Sequence, residues 1–143
     1  MTCPPPGRVQ GVAVSSEDLA IDWVLDLERR AGRQPHLATP TETGFDIVSD
    51  PRRIEVKATG GASSSVWVTG PTLQIARQDP HLFVYVVENV GEGDPSSLRI
   101  RVIGAPDLLA RLEGPTPGGN QMIPLAGVPA MTPGEALGGP LVD

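Results

Sequence analysis

The sequence predicts an α/β domain with a mixed central β-sheet of about five strands flanked by helices. Three observations carry this. Residues 19–31 repeat their apolar side chains at helical spacing. Short alternating segments bounded by turn residues follow, and then a second helical stretch. HLFVYVVENV (81–90) is the most apolar run in the chain and reads as a strand covered on both faces. The element order, helix, three strands, helix, strand, strand, suits a mixed sheet.

Residues 1–14 are rich in Pro and Gly and predict a flexible N-terminus, with at most a short strand near Val12–Val14. Ser15 or Ser16 is placed to cap a helix whose first turn carries Glu17 and Asp18, which suits its positive end. Ala20, Val24, Leu27 and Ala31 form the buried stripe, and Ile21 and Trp23 widen it. Arg29 and Arg30 close the helix before Gly32. GFDIVS (44–49) and RRIEVKA (52–58) flank Asp50-Pro51 and predict a hairpin. In its second strand Ile54 and Val56 share one face, Glu55 and Lys57 the other.

GGASSS predicts a flexible loop and VWVT (66–69) a third strand, with Trp67 and Tyr85 as core or cross-strand packing. Thr69 and Pro71 start a helix that Asp79 and Pro80 stop near Gln78. LRIRVIG (98–104) alternates like an edge strand, and a short helix is expected over Asp107–Glu113. The folded domain is therefore expected over 15–113. Of the thirty residues from Gly114 on, thirteen are Gly or Pro, so 114–143 predicts a tail without sustained regular structure. Its MIPLAGV stretch is apolar enough to lie against the domain or along a partner chain.

The net charge of −6 gives no global basic field for nucleic acid or anionic membrane. A local arginine patch remains open. The first residues lack the basic and continuous apolar regions of a secretory signal, and no apolar run spans a membrane. A single Cys3 cannot form an internal disulfide, so a reducing cytoplasm is the expected compartment. One cysteine and two separated histidines, His36 and His81, argue against structural zinc. Both histidines read as incidental loop residues. No phosphate-binding glycine loop of the G-x-x-x-x-G-K-[ST] type is present.

Lys57 is the one lysine beside ten arginines. Coding bias explains that, and so does a need for a compact ammonium where a flat guanidinium does not substitute. Asp46 sits between Phe45 and Ile47 in a strand, where Asp is disfavoured. Pairing of the two strands brings Asp46 and Glu55 close at the sheet surface, a pair of hard oxygen donors suited to Mg²⁺ or Mn²⁺. Lys57 would then orient water or stabilise charge on a phosphoryl group. Glu28, at the edge of the helical stripe, is a fourth candidate, and Arg52 and Arg53 flank the site as candidate phosphate contacts. The plainer alternative is a solvated strand face carrying an ordinary charge pair.

An Asp followed by Glu-x-Lys, with a helical Glu upstream, resembles the PD-(D/E)XK nucleases of the restriction endonuclease-like fold. A longer pattern is more specific: IDWVLDLERRAGRQP, GFDIVSDPRRIEVKATGG, VWVTG and LFVYVVENV. Together these resemble the protein NO VEIN C-terminal domain family over roughly residues 17–104. The resemblance implies a restriction endonuclease-like core in which Asp46, Glu55 and the backbone carbonyl of Val56 hold Mg²⁺ or Mn²⁺. It implies Lys57 as the water-activating group and Glu28 as the completing carboxylate. The chain departs from the family at Thr72, where a glutamate is common.

Three functions are then expected in order. The first is a metal-dependent nuclease acting on DNA rather than RNA, as a homodimer or beside a partner subunit. The second is an inactive nuclease-fold module that binds protein or nucleic acid. The third is a partner-binding protein working through MIPLAGVPAM.

Overall fold

The computed structural model describes residues 15–92, 94–112 and 119–142. The expected flexible segment 1–14 lies outside the described residues. Helix α1 (Ser16–Arg30) starts at Ser15, whose hydroxyl accepts the Asp18 N–H at 3.0 Å. It ends in a Schellman turn: Gly32 takes φ +92° and donates to the Arg29 carbonyl, and Arg33 donates to the Glu28 carbonyl. Strand β1 (His36–Leu37) follows, then β2 (Ile47–Ser49), β3 (Arg52–Ala58) and β4 (Ser65–Val68). Helix α2 (Gly70–Gln78) leads to β5 (Leu82–Glu88). Two 3-10 turns (Val90–Glu92 and Pro95–Ser97), β6 (Arg99–Gly104) and α3 (Ala105–Ala110) come next. Strand β7 (Gln121–Pro124) and helix α4 (Pro133–Leu137) complete the described chain.

The expected class and strand number hold: a five-stranded mixed sheet in the order β1-β2-β3-β5-β6 lies between helices. Its membership differs from the expectation at two places. The expected third strand, β4, leaves the main sheet and pairs antiparallel with β7 in a separate ribbon. The fifth strand is β1, which pairs antiparallel with β2 and includes His36. Strands β3 and β5 run parallel, joined through β4 and α2, while β5 and β6 are antiparallel.

Side-chain alternation gives each face of the sheet its own core. Ile54, Val56, Tyr85, Val87 and Ile100 pack with Ala20, Val24 and Leu27 of α1 and with Ala136 of α4. On the other face Leu82, Val84, Val86 and Ile103 pack with Leu73 of α2, Leu108 of α3 and the inner side of the ribbon. Burial on both faces explains why β5 reads as an unbroken apolar run.

The C-terminal segment differs from the expected loose tail. Its MIPLAGV stretch lies against its own domain, with β7 paired to β4 and Ile123, Leu125 and Val128 buried. Helix α4 opens with a reciprocal capping box between Thr132 and Glu135, with Pro133 in its first turn. Trp67, expected as packing, does have a cross-strand partner in Met122, but the pair faces out, at 58% and 41% exposure. Buried Glu88 fixes the same region. It accepts the Ser63 N–H at 2.7 Å and lies 3.1 Å from Arg101 Nε, out of line for a hydrogen bond. Arg101 in turn donates to the Val128 carbonyl.

Because the ribbon is core on its inner side, Ile123→Ala is expected to lower stability by about 2–5 kcal/mol in denaturant titration. An unchanged midpoint would mean that 119–142 is not part of the cooperative unit.

Candidate active site

Strand β3 places Glu55 and Lys57 on the face opposite Ile54 and Val56, as period-two alternation requires. Lys57 Nζ lies 3.1 Å from Glu55 Oε2. Asp46 joins them through an irregularity in the strand before it. Its N–H donates to the Ile54 carbonyl at 2.8 Å, while its own carbonyl accepts from Ala38 at 2.9 Å. A regular strand residue points both groups the same way. Asp46 splits them between β3 and the β1 side, as residues at bulges do, and so re-aims its side chain.

The Asp46 carboxylate then bonds the Val56 N–H at 2.8 Å, beyond the last registered pair of β2 and β3. The N–H and carbonyl of a strand residue point to the same side. The Val56 carbonyl therefore faces the side where Asp46 stands. Asp46, Glu55, Lys57 and the Val56 backbone therefore stand together at one edge of the β2–β3 pairing.

Burial, the Asp46 charge and a hydrogen bond that the protonated Glu55 donates to Asp46 push the Glu55 carboxyl up from its ordinary 4.5 to about 8, with Lys57 pulling the other way. In chemical terms, two carboxylates are held together with too little positive charge around them, and the pair retains a proton at neutral pH. A divalent cation replaces such a proton. The donors fit one: two carboxylates and a carbonyl are hard oxygens of the kind Mg²⁺ and Mn²⁺ take. Among the described residues no group of three or more His, Cys, Asp or Glu side chains could hold a metal ion. Water and substrate oxygens would have to fill the remaining positions.

Two further residues set Asp46 in place. Gly44 has φ +93°, and a Cβ there would meet Ile75 Cδ1 at 2.7 Å and the Pro71 backbone at 3.0 Å. Its carbonyl accepts the Thr72 hydroxyl of α2 at 2.6 Å. Thr72 is fully buried. At the position where the sequence departs from the family pattern, the side chain thus braces the backbone two residues before Asp46. Its signal in the sequence was that departure.

Glu28 does not join this group. It is buried on the other face of the sheet, beside Tyr85, and both its oxygens are engaged. Ser49 Oγ donates to Oε1 at 2.8 Å, the Tyr85 hydroxyl to Oε2 at 2.9 Å, and Arg33 Nη2 to Oε2 at 3.1 Å. The cause is the Schellman turn, which folds Arg33 back over the last turn of α1. Arg33 also reaches the Leu141 carbonyl. Burial, followed by the Glu28 charge, raises the Tyr85 hydroxyl well above its ordinary acid range.

Arg52 is likewise not a surface phosphate contact. It is buried, donates to the Tyr85 hydroxyl at 2.8 Å and the Pro140 carbonyl at 2.6 Å, and stacks 4.2 Å over the Phe83 ring. Arg53 stays exposed on the face of Glu55 and Lys57, paired with Asp79.

The profile of the family described as Protein NO VEIN, C-terminal, matches residues 16–102, from the start of α1 into β6. The chain belongs to that family. No curated protein and no solved structure matches it. The family match covers the hairpin, Glu28 and Thr72, and it stops before α3 and the β7–α4 segment.

Two outcomes are expected. Glu28→Ala leaves Arg33 without its carboxylate and should cost about 3–5 kcal/mol of stability, the usual penalty for breaking a buried pair, while leaving Mn²⁺ affinity unchanged. Lost affinity at full stability would return Glu28 to the site. For Glu55 the folded protein keeps a proton that the unfolded chain releases near 4.5. Its contribution is whole below that pH and is lost as pH rises towards about 8. In chelator, the melting temperature of the wild type should therefore fall relative to Glu55→Gln across that window, and parallel curves would refute the shared proton.

Proposed function

We propose that this domain is a divalent-metal-dependent nuclease with a PD-(D/E)XK, restriction endonuclease-like core, hydrolysing phosphodiester bonds of DNA. The observation that carries the reading is the meeting of Asp46, Glu55 and Lys57 beside the Val56 carbonyl, with the two carboxylates short of positive charge. The β2-β3-β5-β6 sheet with α1 and α2 on opposite faces also supports it.

Asp46, Glu55 and the Val56 carbonyl would hold Mg²⁺ or Mn²⁺, which would supply Lewis acidity towards water and a phosphoryl oxygen. Glu55 would release its proton to solvent on holding the cation. Lys57 directs a compact positive donor from the same strand face at the attacking water and at the oxygen that gains charge as the phosphorus–oxygen bond breaks. Asp46, braced through Gly44 and Thr72, would offer its carboxylate to the cation while its backbone stays in the sheet. Arg53 is the residue placed to meet the flanking phosphate.

A second reading, an inactive nuclease-fold module that binds protein or nucleic acid, has its own support. One Asp46 oxygen already accepts the Val56 N–H, and Arg52 is committed to the core. The net charge of −6 offers nucleic acid no general attraction.

Cleavage of plasmid and oligonucleotide DNA with Mg²⁺ and with Mn²⁺ separates the two. Metal-dependent cutting is expected in the wild type, with losses of about 10²-fold or more in Asp46→Ala and Lys57→Ala. Lys57→Arg is expected not to restore it. Equal background in all four proteins would favour the binding module.

A further inference from the structure

Helix α1 carries a second stripe that the sheet does not use. Leu19, Asp22, Trp23 and Asp26 follow the i, i+3, i+4, i+7 spacing of one helix face, adjacent to the stripe that builds the core. They form one wall of a groove of about 480 Å³ whose other wall is the chain after β5. That volume is in the range of sites that bind ligands or peptide side chains. Leu19, Trp23, Val87, Val90 and Leu98 make its lining apolar, and Leu19 is 44% exposed. Asp22 and Asp26 stand on the helix side and Asp94 opposite, with no Lys or Arg among the described lining residues.

The second wall is braced. Asn89 takes φ +66° and donates from its amide to the Ser97 carbonyl at 2.8 Å. Asp94 accepts the Ser96 N–H at 3.0 Å and the Ser96 hydroxyl at 2.9 Å. Those bonds hold the Asp94 carboxyl below its ordinary range and keep it charged. Among the described residues these bonds hold Asn89 and Asp94 in place, which lowers what binding would have to order.

We propose that this groove docks a cationic amphipathic helix of a partner protein, with apolar side chains entering it and Lys or Arg meeting Asp22, Asp26 and Asp94. Charge complementarity selects the occupant. Three carboxylates around an apolar floor repel nucleic acid and favour a ligand that is greasy on one side and positive at its edges. Asp22 and Asp26 are four residues apart, an axial step of about 6 Å, which cations spaced four apart on a ligand helix match. Arg30 lies 3.8 Å from Asp26, but both are more than half exposed, and a pair of that kind exchanges partners at little cost. A second copy of this chain is a poor occupant, since each copy carries a net charge of −6. The groove lies on the α1 side of the sheet, opposite Glu55 and Lys57, so the docked helix would not cover the catalytic face.

The test uses the full chain with Trp67→Phe, which leaves Trp23 as the one tryptophan reporter. The probes are a helical Leu/Lys peptide, its Glu-for-Lys counterpart and its Ser-for-Leu counterpart, titrated at about 0.15 M salt. The Leu/Lys peptide is expected to shift Trp23 emission with micromolar affinity, at least tenfold tighter than either counterpart. Asp22→Asn with Asp26→Asn, and separately Leu19→Ser, are expected to weaken it tenfold or more without changing the melting temperature. The proposal is overturned if the Leu/Lys peptide fails to bind, or if the variants bind it unchanged. Equal binding of the Ser/Lys peptide would reduce the effect to general attraction by an acidic surface. Concentration-dependent dimerisation abolished by the same variants would assign the groove to a second copy instead.

Discussion

The carboxylate of Glu28 is the interaction from which the rest of the arrangement follows. A carboxylate in a protein core is tolerable when each oxygen has partners, and this one has Ser49, Tyr85 and Arg33. Those three belong to β2, β5 and the turn after α1, so satisfying one side chain fixes the helix against two strands. Arg33 then reaches the Leu141 carbonyl, and Arg52, bonded to the same Tyr85, reaches Pro140. The chain beyond α4 is thereby tied to the first helix. A different rotation of α1 would leave Glu28 unpaired, move the groove stripe and release the C-terminal segment together.

Across β3 the opposite solution is found. Glu55 has another carboxylate, Asp46, as its neighbour and a single ammonium to offset it. Glu28 is met by a guanidinium and two hydroxyl donors, whereas Glu55 is met by a like charge. The first arrangement is complete without a ligand. The second is short of one positive charge, and the irregular strand at Asp46 and the Thr72–Gly44 bond maintain that shortage. Strain and unsatisfied charge persist where surrounding structure imposes them. This contrast separates an acid whose partners are complete from one left short of charge more sharply than sequence position does.

How much of this was legible depends on whether the determining contact was local. The helix α1, with its Ser15 cap and Gly32 stop, and the 44–58 hairpin are each written in spacing and turn chemistry within one continuous stretch of chain. The doubly buried β5 shows in its composition. The β4–β7 ribbon is not local, since Val66 meets Ile123, and a Gly/Pro-rich composition concealed a four-residue strand. The α4 capping box was legible in Thr132 and Glu135 and was masked by the same composition. Arg52 is instructive in another way. Alternation already put it on the face of Ile54 and Val56, hence inward, whereas Arg53 shares the face of Glu55 and Lys57. Glu28 was placed at the edge of the buried stripe, but its partner arrives only through a turn that brings Arg33 back along the helix. Linear spacing does not display that.

The division of labour between arginine and lysine now has a physical basis. Arg33, Arg52, Arg101 and Arg111 each reach backbone carbonyls in distant segments, and three of them also engage a carboxylate. These tasks need several donors in a fixed fork, which guanidinium provides and ammonium does not. Lys57 has a different environment. It leaves a strand of the sheet, contacts Glu55, and lies beside a carboxylate pair that retains a proton. A fork there would engage both carboxylates at once and neutralise the site as Arg33 neutralises Glu28. A compact donor with a short reach leaves the pair available to a cation. A chain that anchors its long-range contacts with arginine and keeps one lysine at this position is arranged as the chemistry proposed for Asp46 and Glu55 requires.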